Sequence, residues 1–221
     1  MNINFIQKFS NAFGSKLAST LKLDKDGRDI IVYGALNLFQ MIWSILWVIV
    51  LGAVFHVAGQ AILVCASTAI LRKYSGGAHA PSSNSCAVIG AVISAGIALI
   101  VSKVFIKVSF LTVIFIEVIS LGISYYLIYK HAPVDSRAKK ITSAEARQKF
   151  KKYSILTLNI FTLIIIILDI CYTKYNNSTY FLIIVQCMCM GTLWQAFTLT
   201  SIAHKLFNII NIFKFRGEGL R

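Results

Sequence analysis

Apolar residues fall along this chain in long blocks, not in the alternation of a half-buried strand or the narrow stripe of a soluble helix. With about 20 apolar residues taken as one bilayer crossing, the blocks lie at 30–52, 54–71, 86–105, 107–129, 153–172 and 180–203. The pattern predicts an all-α integral membrane protein of about six transmembrane helices, a single polytopic domain over residues 1–221. Blocks 54–71 and 86–105 are the weakest, carrying His56, Gln60 and Lys103, and a re-entrant pair is the alternative there. Ahead of the first block, Ile6, Phe9, Phe13, Leu17 and Leu21 recur at steps of three and four, with Lys8, Lys16 and Lys22 beside them. That spacing predicts an amphipathic interfacial helix within 1–29, or one packed on the cytoplasmic ends of the spans. A cleavable signal peptide is not expected, because the first long apolar run begins near Ile30, after Asp24, Asp26 and Asp29.

Composition agrees: 57% of residues are hydrophobic and 14% charged, against roughly 45–50% and about 25% in soluble domains. The formal charge of +14 has no globular surface on which to form a nucleic-acid footprint, so no nucleic-acid partner is expected. Its distribution is informative instead. If all six blocks cross, residues 1–29, 72–85, 130–152 and 204–221 share one side and hold 19 Lys and Arg, while Lys103, Lys107 and Lys174 fall on the other. The positive-inside rule then puts both termini and the loops 72–85 and 130–152 in the cytoplasm. The basic 130–152 segment suits a short amphipathic or lid-like piece, or a plain topogenic loop. Five cysteines, at 65, 86, 171, 187 and 189, lack the spacing of a disulfide framework, a zinc site or a redox pair.

One cytoplasmic stretch, Arg72 to Cys86, is more than a connector. It contains a cysteine and an imidazole, the two halves of a thiol nucleophile pair. In an unbroken helix, seven residues would separate His79 from Cys86 by about 10.5 Å, so a working pair requires a bend. Gly76, Gly77 and Pro81 permit one. Ser82, Ser83 or Asn84 would then cap the next helix, leaving Cys86 in its first turn, where the helix dipole favours a thiolate and free N–H groups can face an oxyanion.

Arg72, Gly76-Gly77, His79-Ala80 and Cys86 resemble the signature of the accessory gene regulator protein B (AgrB) family. His131-Ala132-Pro133-Val134-Asp135, followed by Lys139-Lys140, is similar to that family's Ala-Pro-Val-Asp segment and basic tail. The family segment carries a Pro and a Lys-Pro after the Asp, where this chain has Ser136 to Lys140. The resemblance implies a membrane cysteine endopeptidase acting on an AgrD-type quorum-sensing precursor peptide, with Cys86 as nucleophile and His79 as base. It further implies supporting or substrate-binding roles for Arg72, Gly76, Gly77, Ser83, Asn84, Asp135, Lys139 and Lys140, and no cofactor or metal. Expected partners are the precursor, membrane lipids and a second copy of the chain in a homodimer.

Rival readings start from other residues. The histidines at 56, 79, 131 and 204 form no metal motif, and no Gly-x-Ser-x-Gly elbow supports a serine enzyme. Arg72 could orient substrate carboxylates, or simply anchor a helix end. Glu117 and Asp169, with Gln40, Gln60, Asn159 and Gln195, suit a small transporter or peptide exporter. A non-catalytic scaffold would leave the Gly-Gly-Ala-His segment without a use. The small residues Gly90, Ala91, Ser94, Ala95 and Ala98 permit close helix approach, within one chain or between two.

Overall fold

The computed structural model describes residues 4–78, 83–104, 108–135, 141–175 and 178–207. Each apolar block is a helix. In order they are α1 Asn4–Thr20, α2 Lys25–Val54, α3 Ala58–Ser75, α4 Ser83–Lys103, α5 Phe110–His131, α6 Ala144–Lys174 and α7 Thr179–Phe197. A further helical stretch covers 201–207.

Two helices start earlier than hydropathy alone predicts, and their caps explain why. Asp24 accepts a 3.0 Å hydrogen bond from Gly27 N–H, and Asp26 occupies the first turn, so α2 begins at Lys25 and not near Ile30. Ser143 accepts from Ala146 N–H at 3.1 Å, with Glu145 in the first turn of α6. Both arrangements satisfy orphan N–H groups and place acid at the positive end of the helix. Residues 144–152, expected in a loop, therefore extend α6.

Among the described residues five helices, α2 and α4 to α7, are long and apolar enough to cross a membrane, and the chain is a multi-pass membrane protein. The surface has the matching inversion: Leu111, Phe115 and Val118 are more than 60% exposed on α5. Meanwhile Ser67, Ser75, Ser94, Ser120, Ser124 and Gln195 are buried. Apolar outside and polar inside is the arrangement that lipid, not water, stabilises.

The polar helix α3 sits among the others, packed by α2, α4, α6 and α7. Its 18 residues rise about 27 Å, near the roughly 30 Å of a hydrocarbon core. At one end a Cβ on Gly52 of α2 would sit 2.7 Å from the Ala58 Cα that opens α3. At the other, Ser75 C=O accepts from Val134 N–H, just past α5. It thus runs from one end of the bundle to the other, and its shielding by neighbours removes the need for an apolar surface of its own. Val48, Val57, Ala61, Ala91 and Ala98 form a core between α2, α3 and α4. The small face of α4 is used there, within the chain. A second core joins Leu71, Ile128, Leu158, Ile165 and Val185 of α3, α5, α6 and α7.

Helix α1 exists as expected but folds back along α2. Phe9 and Phe13 set their rings edge-on to Phe39 at 4.9 and 5.7 Å, and Arg28 donates to Ser15 at 3.0 Å. Phe9, Phe13 and Leu17 remain about half exposed, as an interfacial helix requires.

Candidate active site

The C-terminal ends of α3, α5 and α7 and the N-terminal ends of α4 and α6 meet at one end of the bundle. The contact is made by a short extended segment, Ser75 to Ala78, which a glycine pair makes possible. Gly76 has φ +70°, and a Cβ there would strike the carbonyl of Val134; Gly77 has φ +134°, and a Cβ would lie 2.5 Å from Thr198 Oγ1. Side chains are excluded twice at each position, by conformation and by space. So freed, the segment is held from both sides. Val134 N–H donates to Ser75 C=O at 2.9 Å, and Ala78 N–H donates to Thr198 C=O at 2.9 Å. Gln195 Nε2 donates to Ser75 Oγ at 3.0 Å and to Gly76 C=O at 2.7 Å. Buried backbone groups leaving a helix need such partners, and α7 supplies them.

Arg72, one turn before the glycines, donates from Nη2 to Ala78 C=O, folding the segment back over its own helix end. The same guanidinium lies close enough to Cys86 for their charges to interact. Cys86 is in the first turn of α4, as the spacing predicts. Its thiol is free and half-buried, packed with Ile89, Trp194 and Phe197 around Ala78, Ala203 and Phe207. It opens on a cavity of about 140 Å³ whose walls include Arg72, Ile89, Ile93, Trp194 and Phe207.

The other expected residues divide. Asn84 accepts a 2.6 Å hydrogen bond from Trp43 Nε1, which ties the start of α4 to α2. Asp135 is held by Arg147 at 3.0 Å, and the same Arg147 donates to Pro133 C=O at 3.2 Å. These contacts link the exit of α5 to α6. His79, Lys139 and Lys140 lie outside the described residues, as does the side chain of Ser83.

Sequence reading missed the contribution of α7: Gln195 and Thr198 clasp the glycine segment, and Trp194 walls the cavity. Gln195 inside a span was the available signal, although its partners are about 120 positions away in sequence. It also missed that Glu117 and Asp169, on neighbouring spans, meet through their carboxyl groups. Among the described residues no cluster of His, Cys, Asp and Glu could hold a metal.

These features define a polytopic, all-helical membrane protein with a thiol set beside a guanidinium over an apolar cavity at one end of the bundle. The family described as Accessory gene regulator B matches residues 7–199. AgrB-like protein 2 of Clostridium perfringens strain 13 is 36% identical over 211 residues, covering 94% of this chain and 97% of that protein. An AgrB-like protein of Clostridium perfringens strain SM101 is 34% identical over 209 residues, with the same coverage of both chains. The chain belongs to the accessory gene regulator B family. Membership implies association with an AgrD-type precursor peptide and a part in processing it. No solved structure matches the chain.

Proposed function

We propose that this chain is a membrane cysteine endopeptidase that cleaves an AgrD-type precursor on the cytoplasmic side and promotes closure of the product into a ring. The setting of Cys86 carries the reading. Of the five cysteines it alone combines a helix first turn, an adjacent cation and the wall of a cavity.

In the reaction, His79 takes the proton from the Cys86 thiol, and the sulfur attacks a peptide carbonyl near the precursor's C-terminus. N–H groups of the α4 first turn face the oxyanion. The C–N bond breaks, the leaving amine takes the proton from His79, and the N-terminal part remains as a thioester on Cys86. A thiol or hydroxyl of that same part then gives its proton to His79 and attacks the thioester, closing a thiolactone or lactone and returning Cys86 as thiolate beside the protonated imidazole. A half-buried thioester among Ile89, Trp194 and Phe197 is shielded from water, which favours ring closure over hydrolysis.

Membranes containing Cys86→Ala should cleave no precursor and accumulate no thioester. The meeting of Glu117 with Asp169 favours a second reading, a transporter without proteolysis. Normal cleavage by Cys86→Ala would exclude the endopeptidase and leave that second reading.

A further inference from the structure

We propose that the cavity beside Cys86 receives one apolar side chain, that of the substrate residue whose carbonyl Cys86 attacks, and that Gly90 sets how large it can be. This deepens the endopeptidase reading and rests on it. The cavity of about 140 Å³ is close to the roughly 150 Å³ of an engineered cavity that binds benzene. It therefore matches a phenylalanine ring or a leucine side chain and leaves alanine loosely held. Its lining is apolar where an occupant would touch it, at Ile89, Ile93, Trp194 and Phe207. Of the polar groups along the wall, Thr68 Oγ1 is engaged, donating to Gly191 C=O at 3.0 Å, and Cys65 lies against Ser94. Arg72, beside Cys86, disfavours a cationic side chain.

Depth follows from helix geometry. From Cys86 to Ser94 along α4 is about 12 Å, and from Arg72 to Cys65 along α3 about 10.5 Å. The cavity thus runs about two turns inward from the thiol. Gly90 lines it one turn below Cys86, and a Cβ built there meets nothing within 4 Å. A larger residue at 90 therefore does not strike the protein, and because Gly90 is part of the cavity wall we expect such a residue to take up space there. Replacing a glycine inside a helix also favours the helix, so these variants are suited to folding.

The test uses the full chain in native membranes with methyl and benzyl methanethiosulfonate. Each transfers its thioalkyl group to the Cys86 sulfur as a mixed disulfide and releases methanesulfinate, and labelling is read at Cys86 by mass spectrometry. After correction for rates with free cysteine, the benzyl reagent should outpace the methyl reagent on the wild-type chain by roughly 10-fold or more. Gly90→Leu should reduce that ratio by roughly 10- to 200-fold, the range by which hydrophobic pockets discriminate small changes in size. Gly90→Ala should fall between. In parallel, N-acetyl-leucinal should protect Cys86 at lower concentration than N-acetyl-alaninal, and Gly90→Leu should erase the difference. A benzyl-to-methyl ratio unchanged in both variants overturns the proposal, and so does equal protection by the two aldehydes in the wild-type chain. Cleavage of precursor that persists in Cys86→Ala removes the endopeptidase reading instead, a failure seen separately because the reagent ratio requires no proteolysis.

Discussion

Cys86 and Arg72 lie fourteen positions apart in sequence and interact because the Ser75 to Ala78 segment turns the chain back. Cys86 stands in the first turn of α4 on the wall of a cavity that Arg72 also lines, so it should react with iodoacetamide ahead of Cys65, Cys171, Cys187 and Cys189. Arg72→Gln, which removes the cation on the same cavity wall, should slow that reaction at pH 7 by several-fold. Arg72→Lys, which keeps the charge, should slow it less. Peptide-level mass spectrometry over time measures both, and another cysteine labelled first, with activity lost in step, would remove Cys86 from its role. The base is tested by a different signature. General-base assistance is typically worth 10²–10⁴-fold, so His79→Ala should lose that much cleavage at pH 7. Part should return by pH 9, where a free thiol ionises without help, its pKa being about 8.5. The sign follows from the proton: His79 removes at pH 7 what hydroxide removes at pH 9. A variant as inactive at pH 9 as at pH 7, while inserted and folded, would make His79 a holder of the segment and not the base.

Among the elements, the helices were legible in the sequence and their long-range fastenings were not. Hydropathy found the five long apolar helices because about 20 apolar residues leave few alternatives. It found α3 only weakly, since burial by four neighbours lets that helix carry Gln60, Thr68 and Arg72. It placed the start of α6 too late, because a capping serine and an acidic first turn begin a helix without any apolar signal. Gly76-Gly77 permits a bend on sequence grounds, but the reason for two glycines is spatial: Val134 on one side and Thr198 on the other. No local pattern contains that information. Gly76→Ala should therefore destabilise the protein by about 1–3 kcal/mol through its strained φ alone, with the close approach of Val134 adding to it. Gly96→Ala, in α4, where a Cβ meets nothing within 4 Å, should be neutral or slightly stabilising. Thermal unfolding of the purified protein in detergent compares the two, and equal midpoints would mean that the clasp is not rigid.

For the whole molecule, sidedness rests on two independent arguments that one experiment separates. The fold makes the first: Ser75 to Ala78 is hydrogen bonded to both Val134 and Thr198, so the segments after α3, α5 and α7 share one end whatever the membrane's orientation. At the opposite end Phe110 stacks on Tyr172 at 4.7 Å, joining the start of α5 to the end of α6. Charge makes the second argument, because residues 1–29, 72–85, 130–152 and 204–221 hold 19 of the 22 Lys and Arg, from which the positive-inside rule predicts the cytoplasm for those segments. Reporters fused after residues 29, 80, 142 and 221 should all read cytoplasmic, and one after residue 176 external. A uniform reversal would leave the fold intact and overturn only the charge argument, with the consequence that a ribosomally made precursor must cross the membrane before reaching Cys86. Disagreement between the fusions at 80 and 142 is the more damaging result. Those two segments are tied together by the bond from Val134 N–H to Ser75 C=O, so they cannot lie on opposite faces of a membrane while that bond exists.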